Sequence, residues 1–406
     1  MNKAYKFYTY TRKHGVGKAI QKTKDYIGKK TSVVKHPIDV MVDVDDIINA
    51  DYINQPYVVP ARKNKRVLKI AWVLSPISSG SGGQSTITRF ARFLKEQGHD
   101  VTFYIYEGIH PQSLAQAKKI LKQGFGLDIP VKKTADYQES DALLATGWET
   151  AYPVFNIKTK AHKFYFIQDF EPYFYGLGSK SVLAENTYKM NFYGITAGRW
   201  LTHKVTTGYG MKADYFDFGA DLDIYRPKDI RRIKKEKKIV FYARPVTERR
   251  AFELGIIALT IFHKNHPDYT IEFIGWDVSN YKIPFPYVNH GIISHQELAK
   301  LYHESVACLV LSLTNVSLLP LELLAAGCVP IMNEGDNNRM VLGENKNIRY
   351  VEASPIQIAN ILSDVVKTKD IKSVATKAAE SVKSLSWDGP YKKMETILIR
   401  EVTGKK

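Results

Sequence analysis

From residue 67 onward the chain alternates two hydrophobic rhythms. Residues 67–74 (VLKIAWVL) are apolar at almost every position, the pattern of a strand buried on both faces. A Gly/Ser-rich loop follows at 75–84. Ile87, Phe90, Ala91, Phe93 and Leu94 then recur on one face of a predicted helix that Gly98 ends. Residues 101–106 read as the next strand, with further strands predicted at 142–145, 164–167, 194–197 and 215–218. The alternation restarts at 239–243 (IVFYA), continues at 270–274 (TIEFI) and 307–311 (ACLVL), and begins once more at 330–332. Helices are predicted at 251–263, 295–304 and 319–326. Alternation of this kind predicts an α/β fold with two Rossmann-like doubly wound domains, each a parallel sheet with helices on both faces. Ligands of such sheets bind beyond the carboxyl ends of the strands, so the expected site is the cleft between the domains. The expected boundaries are an extension at 1–66, a first domain at 67–227, a linker at 228–238 and a second domain at 239–385.

Composition supports two ordinary cores: 406 residues, 44% hydrophobic and 24% charged. Cys308 and Cys328 both sit in apolar runs, which reads as buried small side chains in a reducing compartment. No apolar run approaches the ~18 residues of a membrane span. The N-terminus lacks the apolar core of a secretory signal, and the expected location is cytoplasmic, at the inner face of the cell membrane.

The net charge of +17 is concentrated in two places. Residues 1–30 hold nine Lys/Arg against Asp25 alone, and residues 228–238 hold seven against two acids, so these stretches carry 13 of the 17. The rest of the chain is nearly neutral and shows no zinc-finger, RRM or basic-zipper pattern, so no nucleic-acid partner is expected. The first stretch interleaves its lysines with Tyr5, Phe7, Tyr8, Tyr10, Ile20 and Tyr26. That mixture suits an anionic lipid surface, where each basic residue contributes about 1 kcal/mol; a solvated tail fits it equally well. The second stretch reads as the interdomain linker.

Three loops carry candidate chemistry. Gly80-Ser81-Gly82-Gly83 lies between the first strand and its helix, where glycines admit a ligand to the backbone and a helix start offers free N–H groups; a tight turn explains them as well. Arg244 ends the strand at 239–243, with Arg249 and Arg250 shortly after, an arrangement that either clamps a diphosphate or is surface charge. In 314–330 (TNVSLLPLELLAAGCVP) a helix opens near Pro320 with Glu322 in its first turn. That carboxylate either favours the helix dipole or accepts hydrogen bonds from sugar hydroxyls.

Six ordered motifs carry a resemblance. They are Gly82-Gly83, the turn Gly98-His99-Asp100-Val101, the run 165–171 (YFIQDFE), the stretch 219–227 (GADLDIYRP), Arg244 with Arg249-Arg250, and 290–294 (HGIIS). In this order they resemble GT-B glycosyltransferases of family 4, and within these the bacterial rhamnosyltransferases of S-layer and cell-surface glycans. The resemblance covers roughly residues 67–400. It implies that Arg244 and Arg249 bind the donor diphosphate, that the backbone near Ile292 and Ile293 holds the base, and that Glu322 takes the ribose or deoxyribose hydroxyls. Gly82, Gly83, Thr314, Asn315 and the amides of Ser317, Leu318 and Leu319 would meet phosphate or donor sugar. Gln168, Asp169 and Glu171 would line the opposite wall, near the acceptor or the transferred sugar, and Asp169, Arg244, Arg249 and Glu322 would be the catalytic set. Residues 386–406 resemble the terminal helix that crosses back onto the first domain.

One position departs from the family. Its E-x7-E pair is here Thr314 and Glu322, which is compatible with a 6-deoxy sugar and removes one carboxylate from the site. The resemblance also implies a retaining, metal-independent reaction without a cofactor, in which the leaving diphosphate helps deprotonate the acceptor. The implied donor is dTDP-L-rhamnose and the implied acceptor a glycan on a lipid carrier. Two other readings stay open: a nucleotide-sugar 2-epimerase of the same fold, and a non-catalytic adaptor docked on membrane glycolipid through residues 1–30.

Overall fold

The computed structural model describes residues 38–405 apart from 79, 109, 231 and 232, together with residues 11, 16 and 18. Residues 1–40 and 41–406 are two compact units. Apart from those three positions, the basic-aromatic stretch 1–30 lies outside the described residues.

Within 41–406 the chain builds two all-parallel sheets. The first contains β1 (Lys69–Leu74), β2 (Asp100–Ile105), β3 (Val131–Lys133), β4 (Ala142–Ala145), β5 (His162–Ile167), β6 (Tyr193–Ala197) and β7 (Ala213–Phe216). Their order is β3-β2-β1-β4-β5-β6-β7. The second contains β8 (Lys238–Tyr242), β9 (Thr270–Ile274), β10 (Val288–Gly291), β11 (Ala307–Val310), β12 (Val329–Asn333) and β13 (Arg349–Val351), in the order β10-β9-β8-β11-β12-β13. Both are doubly wound, and in both the strand order reverses beside the first strand: between β1 and β4, and between β8 and β11. These switch points are where such sheets open a crevice for ligands.

The long apolar runs became central strands because both their faces are covered by helices. Trp72, Phe90, Phe103, Phe166 and Phe216 are all fully buried. Phe166 stacks on Phe216 at 5.4 Å between centroids, and Trp72 meets Phe166 edge-on at 5.3 Å. Each such side chain contributes about 1.5–3 kcal/mol by leaving water. Phe241, Phe262 and Phe273 do the same in the second domain. Cys308 and Cys328 are free thiols buried among apolar neighbours.

Three strands have no apolar run to announce them. VKK, VNHG and RYV are short pieces at sheet edges, β3, β10 and β13, held by pairing with a neighbour rather than by burial of both faces. The strand expected at 215–218 forms two residues earlier, at Ala213–Phe216, where it pairs with Gly194–Ala197.

Residues 41–66 are wound into the first domain. Lys63 and Lys65 both bind the buried Asp141, the Lys63 amide donates to the Val402 carbonyl, and the Tyr106 hydroxyl donates to Asp46 at 2.8 Å. Of the extension expected over 1–66, the part from 41 onward thus packs on the first domain. The C-terminal helix Asp388–Thr403 packs on the first domain through Met394, Ile397, Leu398 and Val402, with Tyr391 stacked on Phe93 at 5.2 Å. Arg400 binds Asp214 at 2.6 Å and the His99 ring meets Glu395 at 3.2 Å. The chain thus passes between the domains twice, and the passages touch: a Cβ on Gly219 would stand 2.7 Å from the Trp387 ring. Beside them Arg89 clamps Asp221 with two hydrogen bonds and lies 5.3 Å from the centre of the Trp387 indole. No helix among the described residues is long and apolar enough to cross a membrane.

Candidate active site

On the second domain the site is built where β8 and β11 part. The loop after β8 carries Arg244, Arg249 and Arg250; the loop after β11 runs from Ser312 to Leu318. Arg250 is buried and donates to Ser312 Oγ at 2.5 Å, which fixes one loop to the other. The sequence groups it with Arg249, but its guanidinium braces the loop from behind. Asn333 accepts the Ser312 amide at 2.7 Å, and the Asn337 side chain donates to the carbonyls of Ser312 and Thr314. These asparagines give no periodic or motif signal, yet they set the curvature of the loop.

Arg244 stands apart. Its Nε is buried without a hydrogen-bond partner, and its guanidinium lies 5.6 Å from the centre of the Trp276 indole. Asn315 Oδ1 and Ser317 Oγ are likewise buried and unpartnered. Native structures rarely leave such atoms unsatisfied, and here three occur in the two loops at one switch point. A polar ligand would complete them. Trp276 went unread in the sequence, although it follows directly on β9 after Gly275, whose φ of +97° turns the chain there.

Asp169, at the carboxyl end of β5, reaches across from the first domain. Its Oδ1 accepts the amides of Phe170 and Asn315, both at 2.8 Å. Its Oδ2 accepts the Thr314 hydroxyl at 3.0 Å and Arg249 Nε at 3.2 Å. Asn315 Nδ2 adds bonds to the carbonyls of Gln168 and Ala197, each 2.9 Å. A carboxylate has about four lone-pair sites, and all four are taken. Asp169, expected to face the acceptor, is instead a latch between the domains in this arrangement. Thr314, eight residues before Glu322, receives the carboxylate of Asp169 from the other domain. Arg249 is drawn into the same cluster, its guanidinium 3.9 Å from the Phe174 ring centre. Burial lowers its pKa, and Asp169 works in the opposite direction.

Gly82 and Gly83 prove to be the first turn of the helix Gly82–Glu96, capped by Ser81, rather than part of the loop before it. Gly83 faces the Gln168 amide, 3.4 Å from where a Cβ would stand. Ile292 is exposed and Ile293 half-buried just after β10. Leu318 and Leu319 open the helix Leu319–Ala325 that carries Glu322 in its first turn. Burial, then the neighbouring charge of Asp221, pushes the half-buried Glu322 up to about 7, against the lowering effect of the Tyr225 hydroxyl. Tyr225 itself meets His295 Nδ1 at 2.6 Å.

Glu171 does not line the wall. It is 6% exposed, and one carboxyl oxygen accepts the Tyr165 hydroxyl and the Trp148 amide, each at 2.6 Å. Burial, then the nearby Glu149, holds its pKa well above the ordinary range. It is a buried group inside the first domain, hidden because the turn Glu171–Phe174 folds under the aromatic side chains around it.

The comparisons with known proteins follow this two-domain division. Residues 110–197 match the N-terminal domain of WsaF, and residues 237–363 match the C-terminal domain of WsaF. Both halves of the chain match WsaF. The chain is also 30% identical over 339 residues to the O-antigen biosynthesis protein RfbC of Myxococcus xanthus. That match takes in 80% of this chain and 26% of the relative, so the chain spans about a quarter of its length. Among solved structures, HepE of Anabaena in complex with UDP and glucose superposes with a TM-score of 0.63 at 11% identity, covering 82% of this chain and 99% of that one. WaaG, a glycosyltransferase involved in lipopolysaccharide biosynthesis, gives 0.58 at 13% identity, covering 81% and 99%. The fold is the two-domain GT-B fold of glycosyltransferases.

Proposed function

We propose that the chain is a glycosyltransferase of bacterial surface-glycan synthesis that moves L-rhamnose from dTDP-L-rhamnose onto a growing glycan with retention at the anomeric carbon. The observation that carries this reading is the set of unpartnered atoms Arg244 Nε, Asn315 Oδ1 and Ser317 Oγ in the loops at the β8/β11 switch point. It is supported by the match of both halves to WsaF and by the likeness to a protein of O-antigen biosynthesis.

In this reading Arg244 meets the diphosphate directly, since it has no competing partner. Arg249 joins by exchanging the carboxylate of Asp169 for a phosphate oxygen, a charge-assisted pair of similar geometry. Glu322 accepts a hydroxyl of the nucleoside sugar, and the loop at Ile292–Ile293 with Trp276 borders the base. The diphosphate leaves on the face by which the acceptor hydroxyl enters and takes its proton, while the cations and loop amides stabilise the growing negative charge. The acceptor is a glycan on a lipid carrier, and residues 1–30 bring the enzyme to the anionic membrane that holds it.

Calorimetric titration of dTDP, UDP and GDP into the full chain tests the donor. Preference for dTDP, with release of dTDP from dTDP-L-rhamnose only when an acceptor glycan is added, supports the reading. Absence of nucleotide binding would sink it, and acceptor-independent release would point to the epimerase. The anomeric configuration of the product, read by NMR, tests retention. Vesicle binding with and without residues 1–30 tests the tail.

A further inference from the structure

The other switch point, between β1 and β4, holds a carboxylate that none of the motifs touches. Ser75 follows β1 directly. Thr146, Gly147, Trp148 and Glu149 follow β4, with Glu149 in the first turn of the helix Trp148–Asn156. Ser75 Oγ donates to Glu149 Oε1 at 2.6 Å, joining the two sides of the crevice. Gly147 is extended at φ −165°, a conformation open to any residue. A Cβ there would stand 2.8–3.1 Å from the Glu149 carboxylate and would push it aside. The carboxylate therefore folds back over a bare backbone at the carboxyl edge of the sheet.

Of the three carboxylates in the segments that follow β4 and β5, two are unavailable. Asp169 has every lone pair engaged by Phe170, Thr314, Asn315 and Arg249. Glu171 is buried under Tyr165 and Trp148. Glu149 is half-buried, accepts from Ser75, and has no cation paired with it among the described residues. The hydroxyl of Tyr175 takes the Trp148 indole N–H at 3.1 Å, and the ring of its neighbour Phe174 lies 3.9 Å from the Arg249 guanidinium. The turn that carries Glu149 and the Arg249 of the site therefore flank the same Phe174–Tyr175 pair.

We infer that Glu149, held by Ser75 over Gly147, is the acceptor-binding carboxylate, taking a hydrogen bond from a hydroxyl of the pyranose that receives the transferred sugar. It gives and takes no proton in the reaction; it orients the ring so that the neighbouring hydroxyl faces the anomeric carbon. This rests on the glycosyl-transfer reading and adds to it the residue that the saturation of Asp169 leaves wanting. Ser75 is a positioning residue, since it acts through Glu149.

The test uses the full chain, with octyl α-L-rhamnopyranoside as acceptor probe and dTDP-L-rhamnose as donor. Binding of the glycoside to the dTDP-saturated protein is followed by saturation-transfer NMR, and acceptor KM and kcat by dTDP release. Glu149→Gln is expected to raise the acceptor KM by about 30-fold, the loss of one charge-assisted hydrogen bond, with the dTDP Kd unaltered. Gly147→Ala, which keeps the charge but displaces it, gives the same pattern, and Ser75→Ala a weaker one. Thermal unfolding of each variant separates these effects from loss of fold. Equal glycoside binding by wild type and Glu149→Gln, or no binding by wild type, overturns the inference. Failure of the wild type to bind dTDP overturns the glycosyl-transfer reading instead.

Discussion

Asp169 and Arg249, one from each domain, meet with Oδ2 3.2 Å from Nε, and Thr314 shares the same oxygen. The domains are thus joined at the place where the donor phosphates are proposed to lie. Asp169→Asn keeps the shape but turns one acceptor into a donor facing Thr314 or Arg249. A loss of about 1–3 kcal/mol is expected in urea unfolding, with faster amide exchange in residues 312–316. A variant as stable as wild type would show that the latch contributes nothing net.

Arg244 presents the opposite case. Its side chain makes no hydrogen bond among the described residues, so Arg244→Ala should leave unfolding within about 0.5 kcal/mol of wild type. Affinity for dTDP should fall by at least about 30-fold. Unchanged affinity in calorimetry would remove Arg244 from the donor site.

Thr314→Glu removes the hydroxyl donated to Asp169 and sets a second carboxylate against it. Two carboxylates in contact cannot both ionise cheaply. The variant is expected to be destabilised by about 2 kcal/mol or more at pH 7, and to recover as pH falls and one of the pair takes a proton. A pH-independent loss in urea titrations would mean that size, not charge, is at fault.

Glu171 gives a pH signature of its own. Its pKa is raised in the fold, chiefly by burial, so its contribution is complete below the unfolded value of about 4.3 and is lost as pH rises through the folded value. Glu171→Gln, uncharged at every pH, should flatten the decline of melting temperature on the alkaline side. An identical decline in both proteins would show that the raised pKa of Glu171 contributes nothing to it.

Glu322 titrates near 7 through burial and the nearness of Asp221. As pH rises through that value the carboxylate forms, and it accepts a hydroxyl better than the acid does. Affinity for dTDP should tighten from pH 6 to 8 by more than the ligand's own phosphate explains, the excess disappearing in Glu322→Gln. Parallel pH profiles for the two proteins would take Glu322 out of the nucleoside pocket.

The central strands were legible because burial on both faces forces an apolar run, as in residues 239–243 and 307–311. The edge pieces VKK, VNHG and RYV were not, since pairing on one side leaves their composition free. Gln168, Asp169, Arg249 and Thr314 were legible singly, as motif members. Their meeting was not: Asp169 and Asn315 are 146 residues apart, and a local pattern carries no information about a partner in the other domain. Glu171 was misread for the same reason, as only packing by Tyr165, Trp148 and Tyr188 decides that its carboxyl is hidden. Glu149 follows a Thr-Gly-Trp turn with no repeat or partner nearby in sequence, and its place at a switch point becomes visible only with the strand order.

The two passages of chain between the domains touch at Gly219 and Trp387, and Arg89 ties one to the other. Two tethers held together act as a single pivot: they permit rotation about one axis and oppose sliding or shear. Any opening of the domains must therefore swing the Asp169 loop along an arc away from Thr314 and Arg249 and return it by the same arc. Registration of the two switch points then follows from the path of the chain itself.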